Sequence, residues 1–172
     1  MDSVLQKNSL SQWRLRGADA AMRNFITAFL LLLSTGYIVG ILFVDHRTQG
    51  TSRGLIEEYR GTPEVSRAAE LKYAKSVDEM YIFLHNHILS LSVVFFAVGG
   101  IFYFSSLTSP GVKHFLIVEP FAAIATTFGG IWLMRFVAPQ FSWLVLISGI
   151  SMVGCYAIMV FLILWELWKR NS

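Results

Sequence analysis

The sequence predicts an all-α integral membrane protein: a four-helix bundle with a short extramembrane helical cap between helices 1 and 2. The first observation is composition. Of the 172 residues, 55% are hydrophobic and only 15% are charged, whereas a soluble domain carries about a quarter charged residues. The second is clustering, since the apolar residues form long runs that match a hydrocarbon core of about 30 Å. A lipid bilayer is therefore the expected surrounding.

Residues 1–24 form a basic N-terminal tail. Trp13 and Leu15 alternate with basic side chains, a pattern typical of segments that lie along lipid headgroups; a disordered tail is the alternative. The tail is too polar, and too long before the first apolar run, for a typical cleaved signal. We therefore expect the first span to be retained.

The rest of the chain, residues 25–172, is expected to be one transmembrane domain. Its first span covers about residues 25–44, which are all apolar or small. Within it, Gly36 and Gly40 form a small-xxx-small step that allows a neighbouring helix to approach closely.

The polar cap covers residues 46–76, the only long polar stretch. Ser52 is the expected N-cap of a short helix and Gly61 its expected end. Leu55, Ile56 and Tyr59 share an apolar face of that helix, which could rest on the membrane surface or on the mouth of the bundle. A second cap helix, opened by Pro63, is expected to lead up to the second span.

The second span covers about residues 78–105 and opens with a capping box formed by Ser76 and Glu79. The short link that follows predicts that the second and third spans are antiparallel neighbours.

The third span covers about residues 112–137, and the fourth about 141–168. Pro120 removes a backbone amide, so we expect a kink there or a separate interfacial helix over residues 110–118. Glu119, just before it, is expected to cap the helix that follows Pro120.

The sequence also predicts the surroundings of two other charged side chains. Arg135 is expected to bind a lipid phosphate or to pair with Asp45 or Glu79. Glu166 is expected to belong to an interfacial anchor at the end of the fourth span, together with Trp165 and its neighbours.

Four spans place both termini on one side of the membrane. Lys and Arg residues divide seven to seven between the two sides. We favour cytoplasmic termini in a bacterial-type inner membrane, because the basic residues of the tails lie close to the membrane ends. The net charge of +3 is too small and too dispersed to indicate nucleic-acid binding.

Three of the four histidines are expected at one end of the bundle. His46 ends the first span, and His85 and His87 lie near the start of the antiparallel second span; Asp45 and Glu79 fall at the same end. Ionisable side chains in a spanning helix are costly, so they indicate a site. His85 and His87 point about 200° apart on one helix. We favour His85 as the one facing inward, because small residues share its face.

Three interpretations of these histidines remain open. A b-type haem could be held by His46 with His85 or His87 and packed by the aromatic side chains of Phe83, Phe95, Phe96 and Tyr37. Copper or zinc could be bound instead, since mixed imidazole and carboxylate ligands suit these ions. The histidines could also be structural, with no cofactor. The metal ligands of the second interpretation are His46, His85, His87, Asp45 and Glu79.

These observations lead to a functional hypothesis: an inner-membrane subunit of a redox or metal-dependent membrane complex, with a histidine site at the outer face. A cofactor-free structural or assembly subunit is the closest alternative, and a small transporter ranks third. Other membrane subunits or a second copy of the chain are the expected partners. Because no P-loop, GxSxG, HExxH or Rossmann motif is present, an electron-transfer or non-catalytic subunit is favoured over a stand-alone enzyme.

Overall fold

The computed structural model describes residues 14–62 and 71–169, and within them every long element is helical. Four of these helices are long and apolar enough to cross a membrane, and a short one separates the first two. The predicted fold class is therefore confirmed. The helices are α1 (Ala20–Thr48), α2 (Ser52–Arg60), α3 (Val77–Tyr103), α4 (Pro110–Phe136) and α5 (Ser142–Trp168).

Helix boundaries follow the capping chemistry of the sequence. At the start of α3, the Ser76 hydroxyl accepts from the Glu79 amide at 3.2 Å and the Glu79 carboxylate accepts from the Ser76 amide at 2.7 Å, so the capping box is confirmed. Gly61 ends α2 with a φ of 86°, a conformation that favours glycine. The N-cap of α2 is Thr51 and not Ser52 as expected, since the Ser52 hydroxyl is engaged elsewhere.

The predicted second cap helix lies partly outside the described residues. The part that is described, residues 71–76, is not helical. Thr62 instead pairs with the non-helical segment that precedes α3. Its amide donates to the Lys72 carbonyl at 2.9 Å, and its hydroxyl accepts from the Lys72 amide at 3.0 Å. Helix propensity is overridden here by a tertiary contact.

Pro120 does not interrupt the third span. Helix α4 runs continuously from Pro110 to Phe136, so a separate interfacial helix over residues 110–118 is wrong. Pro110 occupies the first helical position, where the missing amide costs nothing. Pro120 is buried inside the bundle, where neighbouring helices help spanning helices to tolerate proline.

The closest helix contact is the seam between α4 and α5. Thr127 and Ser148 share a buried hydrogen bond of 2.7 Å across it. At Gly130 a Cβ would lie 3.0 Å from a methyl carbon of Val145, so the absent side chain allows the two backbones to approach. The apolar windows of these spans are 44% and 39% buried, against 11% for α1. Helices α4 and α5 are therefore the interior of the bundle.

Helix α1 is attached mainly along its first half. Ile26 and Leu30 are buried, Ser34 shares a hydrogen bond of 3.0 Å with Tyr156, and the Tyr37 ring stacks on Tyr156 with 4.0 Å between centroids. Beyond this point nearly every apolar side chain is exposed, namely Ile38, Val39, Ile41, Leu42, Phe43 and Val44. The second half of the first span is thus left open to its surroundings.

We call the end of the bundle where α1 begins and α5 ends the terminal end. Glu166 stabilises this end. This side chain is 2% exposed and accepts hydrogen bonds from the Ser105 hydroxyl at 2.5 Å and from the Ser106 amide at 2.9 Å. The Arg16 guanidinium lies 3.6 Å away. Glu166 is therefore a buried tie between the α3–α4 loop, α5 and the N-terminal segment at the end of the fourth span, a role that its expected place in an interfacial anchor did not include.

The N-terminal tail is described only from residue 14 onward. Residues Leu15–Gly17 form a 3-10 turn, with Leu15 buried and its amide donating to the Phe104 carbonyl at 3.2 Å. This part of the tail packs on the bundle. The interleaved Trp13 lies outside the described residues.

Replacing Glu166 with alanine should lower the stability of the folded protein. The substitution leaves the buried Ser105 hydroxyl and the Ser106 amide without their acceptor, at a cost of roughly 2–3 kcal/mol. Thermal unfolding in mild detergent measures the effect. Glu57→Ala is the matched control, because its exposed pairing with Arg53 is worth less than about 0.5 kcal/mol. Equal losses in both variants would contradict the buried tie.

Candidate functional site

The three candidate histidines lie toward the end of the bundle that carries α2, here the cap end. His46 lies in the last turn of α1, and His85 and His87 lie in the third turn of α3 or just beyond it. At about 1.5 Å per residue, His87 is roughly 15 Å into its helix. All three side chains are exposed. The histidines therefore share an end of the bundle but differ in depth along their helices.

His87 is the histidine that contacts a neighbouring span. Its Nδ1 lies 2.9 Å from the Phe83 carbonyl, which can only accept, so Nδ1 donates this hydrogen bond. Its ring packs against Phe83 and, across the helix interface, against Phe128 at 5.7 Å. The expectation that His85 is the one facing the bundle is wrong.

Of the two carboxylates in the predicted metal set, one is engaged in a helix cap and the other is exposed. Glu79 is committed to its capping box, and Asp45 is exposed at the end of α1. Across residues 14–62 and 71–169, no three His, Cys, Asp or Glu side chains are grouped so that they could hold a metal ion. The five predicted ligands are thus not assembled into one site within the chain.

Of the four aromatic side chains expected around a haem, Phe96 is 75% exposed. The other three pack against neighbouring rings. Tyr37 and Phe95 meet edge to face with 6.3 Å between centroids, and both contact Tyr156. Phe83 lies between Tyr59 and Phe128. These rings fill the bundle.

A cluster of charges that the sequence analysis missed lies around Glu58 of α2. Its Oε1 accepts from Arg47 at 3.0 Å, the Lys72 ammonium lies 3.0 Å from Oε2, and Lys75 lies 3.8 Å from Oε1. Burial alone would raise the pKa of this carboxyl, but the Arg47 and Lys72 contacts outweigh it and hold the pKa below its usual value. The cluster joins the end of α1, the cap and the lead into α3.

The cap is also docked on the bundle by hydrogen bonds to backbone carbonyls. Arg60 donates to the Met134 carbonyl at 2.9 Å, near the end of α4, and Arg135 donates to the Lys75 carbonyl at 2.8 Å. Cations at a helix end satisfy carbonyls that lack intrahelical partners. The expectation that Arg135 pairs with Asp45 or Glu79 is wrong.

The apolar face of α2 supports the same arrangement. Leu55 and Tyr59 are buried, and the Tyr59 ring lies 5.5 Å from that of Phe83 in α3. Burial, with a smaller contribution from the Glu58 charge, raises the pKa of the Tyr59 hydroxyl. The expected contact between this face and the bundle mouth is confirmed.

Glu119 is a carboxyl inside the third span. It accepts hydrogen bonds from the Ser151 hydroxyl and, at 3.1 Å, from the Cys155 thiol, both on α5. The expectation that it caps a helix after Pro120 is wrong, because α4 is continuous there. An ionisable group at this depth is costly unless partnered, and here a hydroxyl and a thiol supply the partners.

Comparison with known proteins identifies a family. Residues 49–172 match a family model described as a transmembrane helical domain. The chain belongs to this family. The transmembrane helical domain thus includes the cap and the last three spans, which contain the α4–α5 seam. Comparisons with curated proteins and with solved structures gave no match.

The ion cluster at Glu58 should make the stability of the cap depend on pH. Because the folded state holds the carboxyl below its ordinary pKa of 4.5, the stabilisation is fully present above that value and is lost as the pH falls through the lowered folded pKa. Glu58→Gln should therefore cost roughly 2 kcal/mol near pH 7 and progressively less in acid.

Unfolding of the wild type and of Glu58→Gln across the pH range checks this. Glu57→Gln, one residue away, serves as the control and should differ little from the wild type at any pH. A constant gap between the wild type and Glu58→Gln would contradict the role of the charge.

Proposed function

We propose that this protein is a cofactor-free structural or assembly subunit of a membrane protein complex, and that helix α1 carries its contact with a partner span. The observation that carries the proposal is the position of Gly36 and Gly40. Both glycines are exposed, and a Cβ built on either meets nothing within 4 Å among the described residues. The small-xxx-small step therefore faces away from the chain's own bundle.

Small residues have a specific use at such a position. Helices in lipid gain no hydrophobic energy from association, so they depend on close backbone packing, which glycine permits. Exposed apolar side chains border the step: Leu32 is 78% exposed and Phe43 is 64% exposed. The resulting face has a shallow centre and raised edges, which suits a second spanning helix.

Leucines in place of Gly36 and Gly40 should weaken association. Overpacking costs about 1–3 kcal/mol, which corresponds to about 5- to 150-fold in affinity, while the fold should survive because both positions are open. Gly129→Leu is the control, since Gly129 is also exposed with open space around it. The measurement is the oligomeric state by native mass spectrometry and the set of proteins that co-purify in mild detergent.

The two possible partners give different results. If the partner is a second copy, the purified wild type is an oligomer that the double variant loses. If it is another subunit, the wild type is isolated as one copy together with other membrane proteins, and the double variant loses those proteins. Equal behaviour of the double variant and Gly129→Leu would overturn the proposal.

A haem or metal at the cap end is the second candidate, and the geometry of His87 favours it. Ligating histidines commonly donate their other ring nitrogen to a carbonyl, which leaves the second nitrogen free for the metal. His87 is held in this way by Phe83. It would supply one imidazole, and a second ligand would have to come from His46 or from a partner subunit. An inner-membrane redox complex with cytoplasmic termini would then be the setting.

The absorption spectrum of the purified protein tests this candidate. A bound b-type haem predicts a Soret band that His87→Ala abolishes and that His114→Ala, an exposed histidine near the terminal end, retains. Elemental analysis of the same samples tests for copper or zinc. A colourless, metal-free protein isolated together with its partners would leave only the assembly function.

A further inference from the structure

We propose that a groove between α3 and α4, near the terminal end, binds one acyl chain of an anionic phospholipid whose phosphate lies against Lys113. The groove has a volume of about 200 Å³. It is lined almost entirely by apolar surface around a glycine pair. Its lining includes Phe96, Gly99, Gly100, Tyr103, Ile117 and Phe121.

The floor of the groove is open because glycine occupies it. A Cβ built on Gly100 meets nothing within 4 Å, and one on Gly99 reaches only ordinary contact with Ile117 at 3.6 Å. Phe96 and Tyr103 are 75% and 63% exposed and form part of the rim. A helix with its side chains is about 10 Å across, too wide for this space, whereas part of a single hydrocarbon chain fits along it.

A cationic side chain lies at the end of the groove that is nearest the terminal end of the bundle. The Lys113 ammonium is 5.9 Å from the centre of the Tyr103 ring. Lys113, Ile117 and Phe121 are four residues apart, so they follow one face of α4 from the end of the bundle into the membrane. A lipid headgroup at Lys113 would therefore place its acyl chain directly above Ile117 and Phe121.

The Lys113 ammonium can donate one further hydrogen bond in this position. It donates to the Tyr103 carbonyl at 3.0 Å and to the Ser105 carbonyl at 2.5 Å. An ammonium has three donors, so one remains for a phosphate oxygen, and neither carbonyl neutralises the charge. These hydrogen bonds fix the ammonium at the mouth of the groove.

The charge of the terminal end favours an anionic lipid over a zwitterionic one. In the part of the chain that the structure describes, the basic side chains near this end outnumber the acidic ones. The basic residues are Arg14, Arg16, Arg23, Lys113 and Lys169, and the acidic residues are Asp19 and Glu166. Basic pockets between spanning helices on one side of a membrane are known to hold acidic headgroups.

Native mass spectrometry of the full chain in mild detergent tests the proposal. Phosphatidylglycerol and phosphatidylcholine with identical oleoyl chains are titrated separately. The wild type should retain phosphatidylglycerol more strongly. Lys113→Gln should reduce that preference about fivefold, Lys113→Arg should keep it, and Gly100→Leu should lose both lipids because leucine fills the groove.

Two control variants separate a site from general surface attraction. Gly129→Leu should bind lipid as the wild type does, and Lys169→Gln removes a charge at the same end but outside the groove. Equal effects of Lys169→Gln and Lys113→Gln, or retention of lipid by Gly100→Leu, would overturn the proposal. If Lys113→Gln fails to fold, the Gly100→Leu and Gly129→Leu pair still decides whether the groove is occupied.

Discussion

The seam between α4 and α5 is the contact on which the other helices depend. Along it, Thr127 meets Ser148, and Gly130 lets the chains approach at Val145. In lipid the hydrophobic effect does not hold helices together, so close packing and hydrogen bonds must do so. The seam supplies both, and α3 and α1 pack on the unit it forms. Loss of the seam would leave α1 without Tyr156, the residue to which α1 is chiefly attached.

Three buried or half-buried carboxylates show how depth decides the partner. Glu58, in the cap, is held by cations such as Arg47. Glu166, at the terminal end, has serine donors and one more distant arginine. Glu119, within a span, is held by a hydroxyl and a thiol. Cationic side chains are costly away from water, so charge pairing gives way to neutral donors as the carboxylate lies deeper.

The four spans and the first cap helix were predictable because run length and capping chemistry are local. Ser76 and Glu79 predict the start of α3 from a segment of four residues, and the long apolar runs predict the positions of the spans. The partners of polar side chains were not predictable, because a sequence shows how deep a residue lies in the membrane but not which way its helix is turned. His85 and His87 share a depth, yet only the packing of α3 on Phe128 selects His87.

The weak attachment of α1 has a consequence for how the chain works. The family match begins at residue 49, one residue after α1 ends, so the transmembrane helical domain comprises the cap and three packed spans. Helix α1 contributes to that unit through the first half of its length and through Arg47 at Glu58. A helix held at two places, with Gly36 and Gly40 open between them, can accept a partner along its middle without disturbing the α4–α5 seam. In the assembly function proposed above, association and folding would be carried by different surfaces, as a subunit that must be stable before it assembles requires.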